Sequence, residues 1–282
     1  MPRKSKNIKG DVSQDLKNKV CLVTGAAGLL GGQFAESLLE AGAKVCLLDI
    51  NDKFLKIKEK RLKKKYHSYC LAVQTDVTSE ESLCAARTTV LKHFGRIDAL
   101  VNCAANDPKV KKGGKNDFSR FENFTIEQWE KDFAVGLKGS FLCCKIFGTS
   151  MAKQGSGVIV NIASDLSVIS PDQRLYREAG LKEDKQPVKP VTYSVIKTGL
   201  LGLTRYLSTY WAHRNIRVNT LSPGGIYTGQ HKAFVKRLTN LIPMGRMAGI
   251  TEYRKAIVFL CSDASKYMTG QNLIMDGGRS VW

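Results

Sequence analysis

The stretch TGAAGLLG, residues 24–31, places three glycines in a turn between two apolar segments. The segment before it, KVCLVTG (19–25), is short and rich in β-branched residues, which is typical of a buried strand. The segment after it, LLGGQFAESLLEAGA, has apolar residues at helical spacing. Such a turn lets backbone N–H groups approach a pyrophosphate, and the helix N-terminus adds partial positive charge. We therefore predict that Gly25, Gly28 and Gly31 form a dinucleotide-binding turn.

Strand-like and helix-like segments alternate along the rest of the chain. The predicted strands are 19–25, 44–50, 68–77, 97–105, 157–164, 216–224 and 271–278. The predicted helices are 29–43, 51–64, 79–93, about 125–152, about 191–213, 230–240 and 251–262. Repeated βα units with nearly continuous apolar strands favour a parallel sheet that is covered on both faces. We predict an α/β fold, a single-domain Rossmann-type doubly wound parallel sheet of about seven strands with helices on both faces.

The length and composition favour one large domain. A chain of 282 residues with 43% hydrophobic content can bury one substantial core. We predict a flexible basic tail over residues 1–18 and a single folded domain over residues 19–282. The N-terminus lacks the apolar stretch that a secretory signal needs, and no apolar run is long enough to cross a membrane. The sequence therefore predicts a soluble, cytoplasmic protein with no membrane partner.

The formal net charge of +19 is concentrated in two places. Residues 1–19 carry six Lys and Arg against two Asp, and residues 53–65 carry eight against one Glu. The second segment keeps an apolar side that includes Leu55 and Leu62, which is typical of a solvated surface helix. We predict no specific nucleic-acid partner, and a nonspecific contact with a polyanion remains the alternative.

Cysteines and histidines show no metal-binding pattern. The eight cysteines include no CxxC pair and mostly lie in apolar segments, where a reduced thiol behaves as a small hydrophobic side chain. The four histidines, His67, His93, His213 and His231, have no ligand spacing. We predict neither a metal site nor a disulfide framework.

An acidic residue about twenty positions after the glycine-rich turn supports dinucleotide binding. Asp49 ends the second predicted strand, where a carboxylate binds the hydroxyls of the adenosine ribose. A carboxylate at this position repels a 2′-phosphate, so we predict NAD as the cofactor, with NADP less favoured. Lys53 lies nearby and weakens that preference.

A tyrosine and a lysine four residues apart indicate proton-transfer chemistry. In TYSVIKTG, Tyr193 and Lys197 project from one face of a predicted helix. A phenol with a pKa of about 10 is a poor acid or base at neutral pH, but a nearby ammonium group favours the phenolate. The tyrosine can then exchange a proton with a substrate hydroxyl or carbonyl. Taken alone, the spacing also fits a surface tyrosine on an ordinary helix.

These features occur with further motifs in a recognisable order: TGAAGLLG, TDVTS, LVNCAA, GVIVNIAS, YSVIK, IRVNTLSPGGIYT and MTGQNLIMDGG. Read together, they resemble the short-chain dehydrogenase/reductase family over nearly the whole chain, from Lys19 to Gly278. The resemblance implies a catalytic domain in which Ser164 polarises the reacting carbonyl and Tyr193 transfers the proton. Lys197 would bind the nicotinamide ribose and tune Tyr193, while hydride transfer belongs to the cofactor.

The resemblance also implies cofactor contacts and an assembly. It assigns cofactor binding to Thr24, Gly25, Gly28, Leu30, Gly31, Asp49, Asp76, Val77, Asn102, Ala104, Tyr193, Lys197, Pro223, Gly224, Ile226 and Thr228. In this family the helices at 125–152 and 191–213 commonly pair with their copies in another subunit. A homotetramer or homodimer is therefore expected, and the apolar residues Val281 and Trp282 could take part in it.

Two departures from the family pattern concern the turn and the proton relay. The compact branch usually has TGxxxGxG, which requires glycine at the position of Leu29, whereas this chain has the TGxxGxxG spacing of the extended, nucleotide-sugar branch. Its C-terminal half, with SPGG and MDGG, resembles the compact branch. Gly136 stands where the family usually has an asparagine that orders a relay water. The proton relay is therefore expected to be rearranged.

A third departure is an inserted segment at about 172–190, between Ser164 and Tyr193. We predict that it forms a loop over the substrate, with Arg174, Tyr176 and Arg177 as candidate substrate residues. Its cations would suit a phosphorylated or otherwise anionic polyol. A solvated loop with partly cancelling charges fits equally well. SDLSVISPDQRLY and MDGGRSVW are also similar to oxidoreductases encoded with bacterial surface-sugar and flagellin-modification genes.

Three functional hypotheses follow. The first is an NAD(H)-dependent oxidoreductase that interconverts a hydroxyl and a keto group on a sugar-like or phosphorylated polyol, by a Ser-Tyr-Lys mechanism. The second is a dinucleotide-binding regulatory protein with weakened catalysis, suggested by Gly136. The third is a sugar epimerase or dehydratase that retains NAD, suggested by the glycine spacing.

Overall fold

A seven-stranded, fully parallel sheet organises the computed structural model, which describes residues 16–106 and 119–282. The strands are β1 Val20–Thr24, β2 Lys44–Asp49, β3 Cys70–Gln74, β4 Ala99–Asn102, β5 Gly157–Ile162, β6 Ile216–Pro223 and β7 Asn272–Met275. Their order across the sheet is β3-β2-β1-β4-β5-β6-β7, and every neighbouring pair is parallel. The predicted doubly wound α/β fold is confirmed.

Helices connect the strands. They are α1 Leu29–Glu40, α2 Asp52–Tyr66, α3 Glu80–Phe94, α4 Ile126–Phe133, α5 Gly139–Cys143, α6 Thr149–Gln154, α7 Val191–Tyr210, α8 Lys232–Thr239 and α9 Arg254–Cys261. Two π-helical turns, Ala134–Lys138 and Cys144–Gly148, join α4, α5 and α6 into one rod. Across the described parts of the chain, no helix combines the length and apolar character needed to cross a membrane.

Strand β1 shows how the sheet is buried on both faces. Val20 and Leu22 belong to the core beneath α3 and α7, whereas Cys21 and Val23 belong to the core beneath α1 and α9. All four side chains are fully buried. Because successive strand residues point to opposite faces, a continuous apolar run is what a doubly covered strand requires.

The strand order places a crevice beside β1. The sheet extends from β1 toward β2 and β3 on one side and toward β4 to β7 on the other. In such sheets the connections diverge between the two central strands, so ligands bind outside the carboxyl ends of the strands there. Thr24 joins the two central strands, since its Oγ1 accepts hydrogen bonds from the N–H groups of Cys103 and Ala104 at 3.0 and 3.1 Å.

The segment predicted as an insertion packs on α8. It contains two short 3₁₀ turns, Gln173–Tyr176 and Glu183–Lys185. Leu175 is buried in a small apolar cluster with Leu238 of α8 and two neighbours. Arg237 of α8 also donates to the Leu175 carbonyl, at 2.8 Å from Nη2. This second, smaller core holds the segment against one side of the crevice.

The predicted basic tail lies largely outside the described residues, which begin at Leu16. Leu16 itself is buried in the main core, and its N–H donates to the Ala41 carbonyl at 3.0 Å.

Candidate active site

A cavity of about 1400 Å³ opens at the carboxyl ends of the central strands. Gly25 lines it just after β1, Cys103 just after β4, Ser164 just after β5 and Pro223 at the end of β6. The cavity therefore lies where a doubly wound sheet is expected to bind its ligand.

The glycine-rich turn is packed too closely for side chains. Gly25 has a left-handed φ of +66°, and a Cβ there would lie 2.9 Å from the Ala104 backbone. A Cβ on Gly31 would overlap the Gly25 carbonyl oxygen and lie 2.8 Å from its carbon. Gly28 precedes α1 and provides no side-chain cap, so the first N–H groups of α1 are left for a ligand. These features fit the pyrophosphate of a dinucleotide.

Asp49 stands at the end of β2 and lines the same cavity. One carboxylate oxygen accepts from the Ala27 N–H and the other from the Asn51 N–H, both at 2.9 Å. The carboxylate is thus held against the glycine-rich turn, as expected for a residue that binds ribose hydroxyls.

Lys58 of α2 also reaches the glycine-rich turn, which the sequence did not predict. Its Nζ donates to the carbonyls of Ala27 and Gly28 at 3.3 and 3.0 Å. Burial lowers the pKa of Lys58, and the nearby Arg61 adds to the shift. Lys58 therefore stabilises the turn through two hydrogen bonds. The apolar-polar pattern of α2 predicts only a surface helix and does not indicate this contact.

The predicted cofactor residues fall into two groups. Those that line the cavity are Gly25, Gly28, Leu30, Gly31, Asp49, Tyr193, Lys197, Pro223, Gly224, Ile226 and Thr228. Thr24, Asp76, Val77, Asn102 and Ala104 are not among the residues that line it. The second group makes internal contacts. The Asn102 amide donates to Asn161 Oδ1 at 2.9 Å, and Asp76 accepts from the N–H and hydroxyl of Thr78.

Tyr193 and Lys197 lie in the first turns of α7 and both line the cavity with Ser164. The Lys197 ammonium is buried, donates to the Ile162 carbonyl at 2.8 Å and lies 5.9 Å from the centre of the Tyr193 ring. The structure therefore places the lysine of the predicted pair beside the tyrosine ring. The predicted serine, tyrosine and lysine thus line one cavity.

A second ammonium faces Tyr193. Lys189, from the inserted segment, lies over the ring with its Nζ 3.7 Å from the ring centre. A cation over an aromatic face is attracted by the negative charge of the ring face. The sequence placed Lys189 among the cations of the insertion but did not predict its contact with Tyr193.

The position of Gly136 explains one departure from the family pattern. A Cβ on Gly136 would lie 2.7 Å from Cγ2 of Ile196, a residue of α7. A larger residue at this position therefore requires the Ile196 side chain or its helix to move.

Comparison with known proteins identifies the family. A family model described as short chain dehydrogenase matches residues 19–176, and one described as Enoyl-(Acyl carrier protein) reductase matches residues 183–280. The chain belongs to the short-chain dehydrogenase/reductase family. It is therefore an NAD(P)-dependent dehydrogenase/reductase, as its sequence motifs predict.

Similar proteins include dehydrogenases and a flagellin modification protein. The NAD-dependent glycerol dehydrogenase of Listeria innocua is 34% identical, over 96% of this chain and 97% of that protein. Post-translational flagellin modification protein A of Campylobacter coli is 31% identical, over 93% and 98%. A gluconate 5-dehydrogenase from Burkholderia cenocepacia, in complex with NADP and tartrate, superposes with a TM-score of 0.82 at 25% identity, over 96% and 99%. The predicted similarity to flagellin-modification oxidoreductases is confirmed.

The predicted substrate residues of this dehydrogenase are only partly brought together. Tyr176 and Arg177 line the cavity, but Arg174 does not. The Arg174 side chain is 77% exposed, and Asp172 holds its guanidinium through bonds of 2.9 and 2.8 Å. The substrate role of Arg174 stays a prediction, and the structure shows its guanidinium paired with the neighbouring Asp172 carboxylate.

Other polar residues that line the cavity were not predicted, among them Asp165, His231, Arg237 and Arg279. Asp165 directly follows Ser164, but the others come from segments near α8 and from the C-terminus. Local periodicity contains no signal for such long-range placement.

Cys103 lines the cavity as a neutral thiol. Burial raises its pKa to about 11, with the Lys197 and Lys58 ammonium groups acting in the opposite direction. Because the thiolate is the reactive form, this cysteine contributes packing rather than a nucleophile at neutral pH.

Proposed function

We propose that this dehydrogenase uses NAD(H) to interconvert a hydroxyl and a keto group on a polyol or sugar-like substrate. The observation that carries the proposal is that Ser164, Tyr193 and Lys197 line one cavity with the glycine-rich turn and Asp49. A proton-transfer group and a dinucleotide cradle therefore face the same space. The similarity to glycerol and gluconate dehydrogenases supports the substrate class.

In the proposed mechanism, Tyr193 exchanges a proton with the substrate oxygen. The ammonium groups of Lys197 and Lys189 flank the Tyr193 ring and stabilise its deprotonated form. The glycine-rich turn and Asp49 would hold a nicotinamide dinucleotide, which would supply the hydride chemistry. Ser164 would donate to the reacting oxygen and polarise it. The residues that line the cavity would keep substrate and cofactor in a reactive orientation.

A substrate panel tests the proposal. With NAD⁺ we expect the protein to oxidise neutral polyols such as glycerol, threitol and ribitol, and NADH formation is followed by its ultraviolet absorbance. Gluconate, phosphorylated sugars and nucleotide-linked sugars complete the panel. Conversion of a sugar without net NADH would instead indicate an epimerase or dehydratase. NADH binding without turnover of any panel member would favour the regulatory hypothesis.

We expect Asp49→Asn to shift cofactor preference toward NADP⁺. The substitution removes a negative charge that faces the adenosine ribose, and like charges brought together cost several kcal/mol, so the NADP⁺/NAD⁺ affinity ratio should rise about tenfold or more. The amide oxygen of the introduced asparagine can still accept the Ala27 N–H bond, which keeps the turn in place. The ratio is measured by fluorescence titration with NADPH and NADH.

Asp52→Asn is the matched control for this prediction. Asp52 opens α2 and pairs with Lys56 on the surface. We expect the control to keep the wild-type preference. An unchanged ratio in Asp49→Asn would contradict the proposed role of Asp49.

A further inference from the structure

The C-terminal turn places an arginine in the cavity. Gly277 and Gly278 both have left-handed φ values, +69° and +91°, and the Asp276 carboxylate accepts from the N–H groups of Gly278 and Ser280 at 3.0 and 2.7 Å. This turn carries the side chain of Arg279 into the lining of the same cavity as Ser164 and Tyr193.

A single carboxylate links this arginine to Ser164. Asp165 Oδ2 accepts from Arg279 Nη1 at 2.8 Å, and Asp165 Oδ1 accepts from the Ser164 hydroxyl at 2.8 Å and from the Leu166 N–H at 2.9 Å. The two side chains of the ion pair are 5% and 9% exposed. A desolvated ion pair therefore stands directly beside the serine.

The hydroxyl hydrogen of Ser164 is already used in a hydrogen bond to Asp165. Its hydroxyl donates to Asp165 and its oxygen accepts from the Leu166 N–H at 3.2 Å. A hydroxyl group has one hydrogen, so Ser164 cannot donate to a substrate oxygen while Asp165 holds that hydrogen. A substrate group that donates to Asp165 in place of Ser164 would free the Ser164 hydrogen to bond the substrate oxygen.

The pair has no net charge but presents both an acceptor and donors. Among the residues that the structure describes, Asp165 is the hydrogen-bond partner of the Arg279 side chain, and the guanidinium carries further N–H donors. A neutral hydroxyl can donate to Asp165 and accept from Arg279 at once. A carboxylate or phosphate at the same place would face the negative charge of Asp165.

We propose that the Asp165–Arg279 pair binds a neutral hydroxyl on the carbon next to the reacting carbon, which makes vicinal diols and the matching hydroxyketones the substrate class. The inference rests on the proposed function. The second hydroxyl replaces Ser164 as a donor to Asp165, so that the Ser164 hydrogen turns to the reacting oxygen.

In oxidation, the reacting carbon loses a hydride to the oxidised dinucleotide, its hydroxyl proton passes to Tyr193, and the C–O single bond becomes a double bond. Arg279 and Asp165 are therefore both substrate-binding residues, and Asp165 also positions the Ser164 hydroxyl.

Three small alcohols with one common frame test the inference. Isopropanol, propylene glycol and lactate share a methyl group and a secondary hydroxyl and differ only in the third substituent: methyl, hydroxymethyl or carboxylate. A site built to bind a hydroxyl discriminates strongly against an analogue that lacks it. We therefore expect propylene glycol to be oxidised with NAD⁺ at a kcat/KM about 100-fold higher than isopropanol. Lactate should also fall well below the diol.

Variants separate recognition from folding. In Arg279→Leu, we expect the ratio of the kcat/KM for propylene glycol to that for isopropanol to fall from about 100 toward one, while the variant still binds NADH. Breaking a buried pair can destabilise a protein, so Arg279→Lys, which keeps a cation beside Asp165, is the second variant. It should fold and yet lose most of the diol preference, because it lacks the guanidinium fork. Arg246→Leu is the control, since Arg246 pairs with Glu252 on the surface outside the cavity.

Several outcomes would overturn the inference. Equal kcat/KM values of the wild type for isopropanol and propylene glycol would overturn it. A folded Arg279 variant in which both kcat/KM values fall by the same factor would overturn it as well. A preference for lactate would indicate an anionic substrate, and no turnover of any of the three would also count against the pair. Polyol oxidation in the wider panel would still stand in each of these cases. The proposed function fails only if that panel gives no NADH.

Discussion

Replacing Tyr193 by phenylalanine is expected to lower kcat for alcohol oxidation by about 10²–10⁴-fold, the usual contribution of a positioned acid–base group. The ring remains, so its contact with Lys189 and the shape of the cavity remain as well. What is lost is the oxygen that exchanges a proton with the substrate. NADH affinity should therefore stay close to that of the wild type, and kcat and kcat/KM should fall together.

Steady-state kinetics and NADH titration, each with Tyr193→Phe and wild type, check this expectation. Tyr206→Phe is the matched control, because Tyr206 lies on the same helix and is 64% exposed, away from the cavity lining. The control should keep full activity. If Tyr193→Phe kept most of the wild-type turnover, the proposed acid–base mechanism would be wrong.

The second large effect is expected for Gly31→Ala. The added Cβ would overlap the Gly25 carbonyl, which is backbone and cannot rotate away. The turn must therefore shift, and overpacking of this kind typically costs about 1–3 kcal/mol of stability. Because the same turn supplies the N–H groups for the pyrophosphate, we expect NADH affinity to fall by about tenfold or more, which corresponds to about 1.4 kcal/mol or more.

Gly202→Ala provides the control for this substitution. Gly202 is also helical, in α7, but a Cβ there would meet open space. Alanine is the better helix former by about 0.8–1.0 kcal/mol, so the control should be neutral or more stable. Thermal unfolding and NADH titration measure both effects. Wild-type affinity in a folded Gly31→Ala protein would show that the turn does not hold the dinucleotide.

Much of the fold could be predicted from local patterns. The strand and helix segments follow from apolar periodicity, and all seven predicted strands occur within a few residues of their expected bounds. The parallel order of the sheet follows from the βα alternation. The boundaries are less exact because the ends of elements depend on contacts outside the local segment. For example, the third strand is Cys70–Gln74, shorter than the predicted 68–77.

The candidate site shows the same division. Asp49 could be predicted because it follows the turn at a characteristic distance, and it lines the cavity. The ion pair of Arg174 with Asp172 could not be predicted from the spacing of charges, because it depends on how the chain turns between the two residues. Lys58 could not be found, because its chemistry arises only where α2 packs against the glycine-rich turn.

By itself, the sequence determined the glycine-rich turn, the apolar strands and the Tyr193–Lys197 spacing, since each depends on neighbours along the chain and on fixed backbone geometry. Only the tertiary structure decided which charged groups meet at Ser164. Asp165 and Arg279 are 114 residues apart and form a bond because the C-terminal turn returns to the carboxyl end of β5. Lys189 likewise meets Tyr193 only through the packing of the inserted segment. Contacts of this kind depend on the order of the strands and on how the loops pack against them. Neither feature can be read from a local sequence pattern.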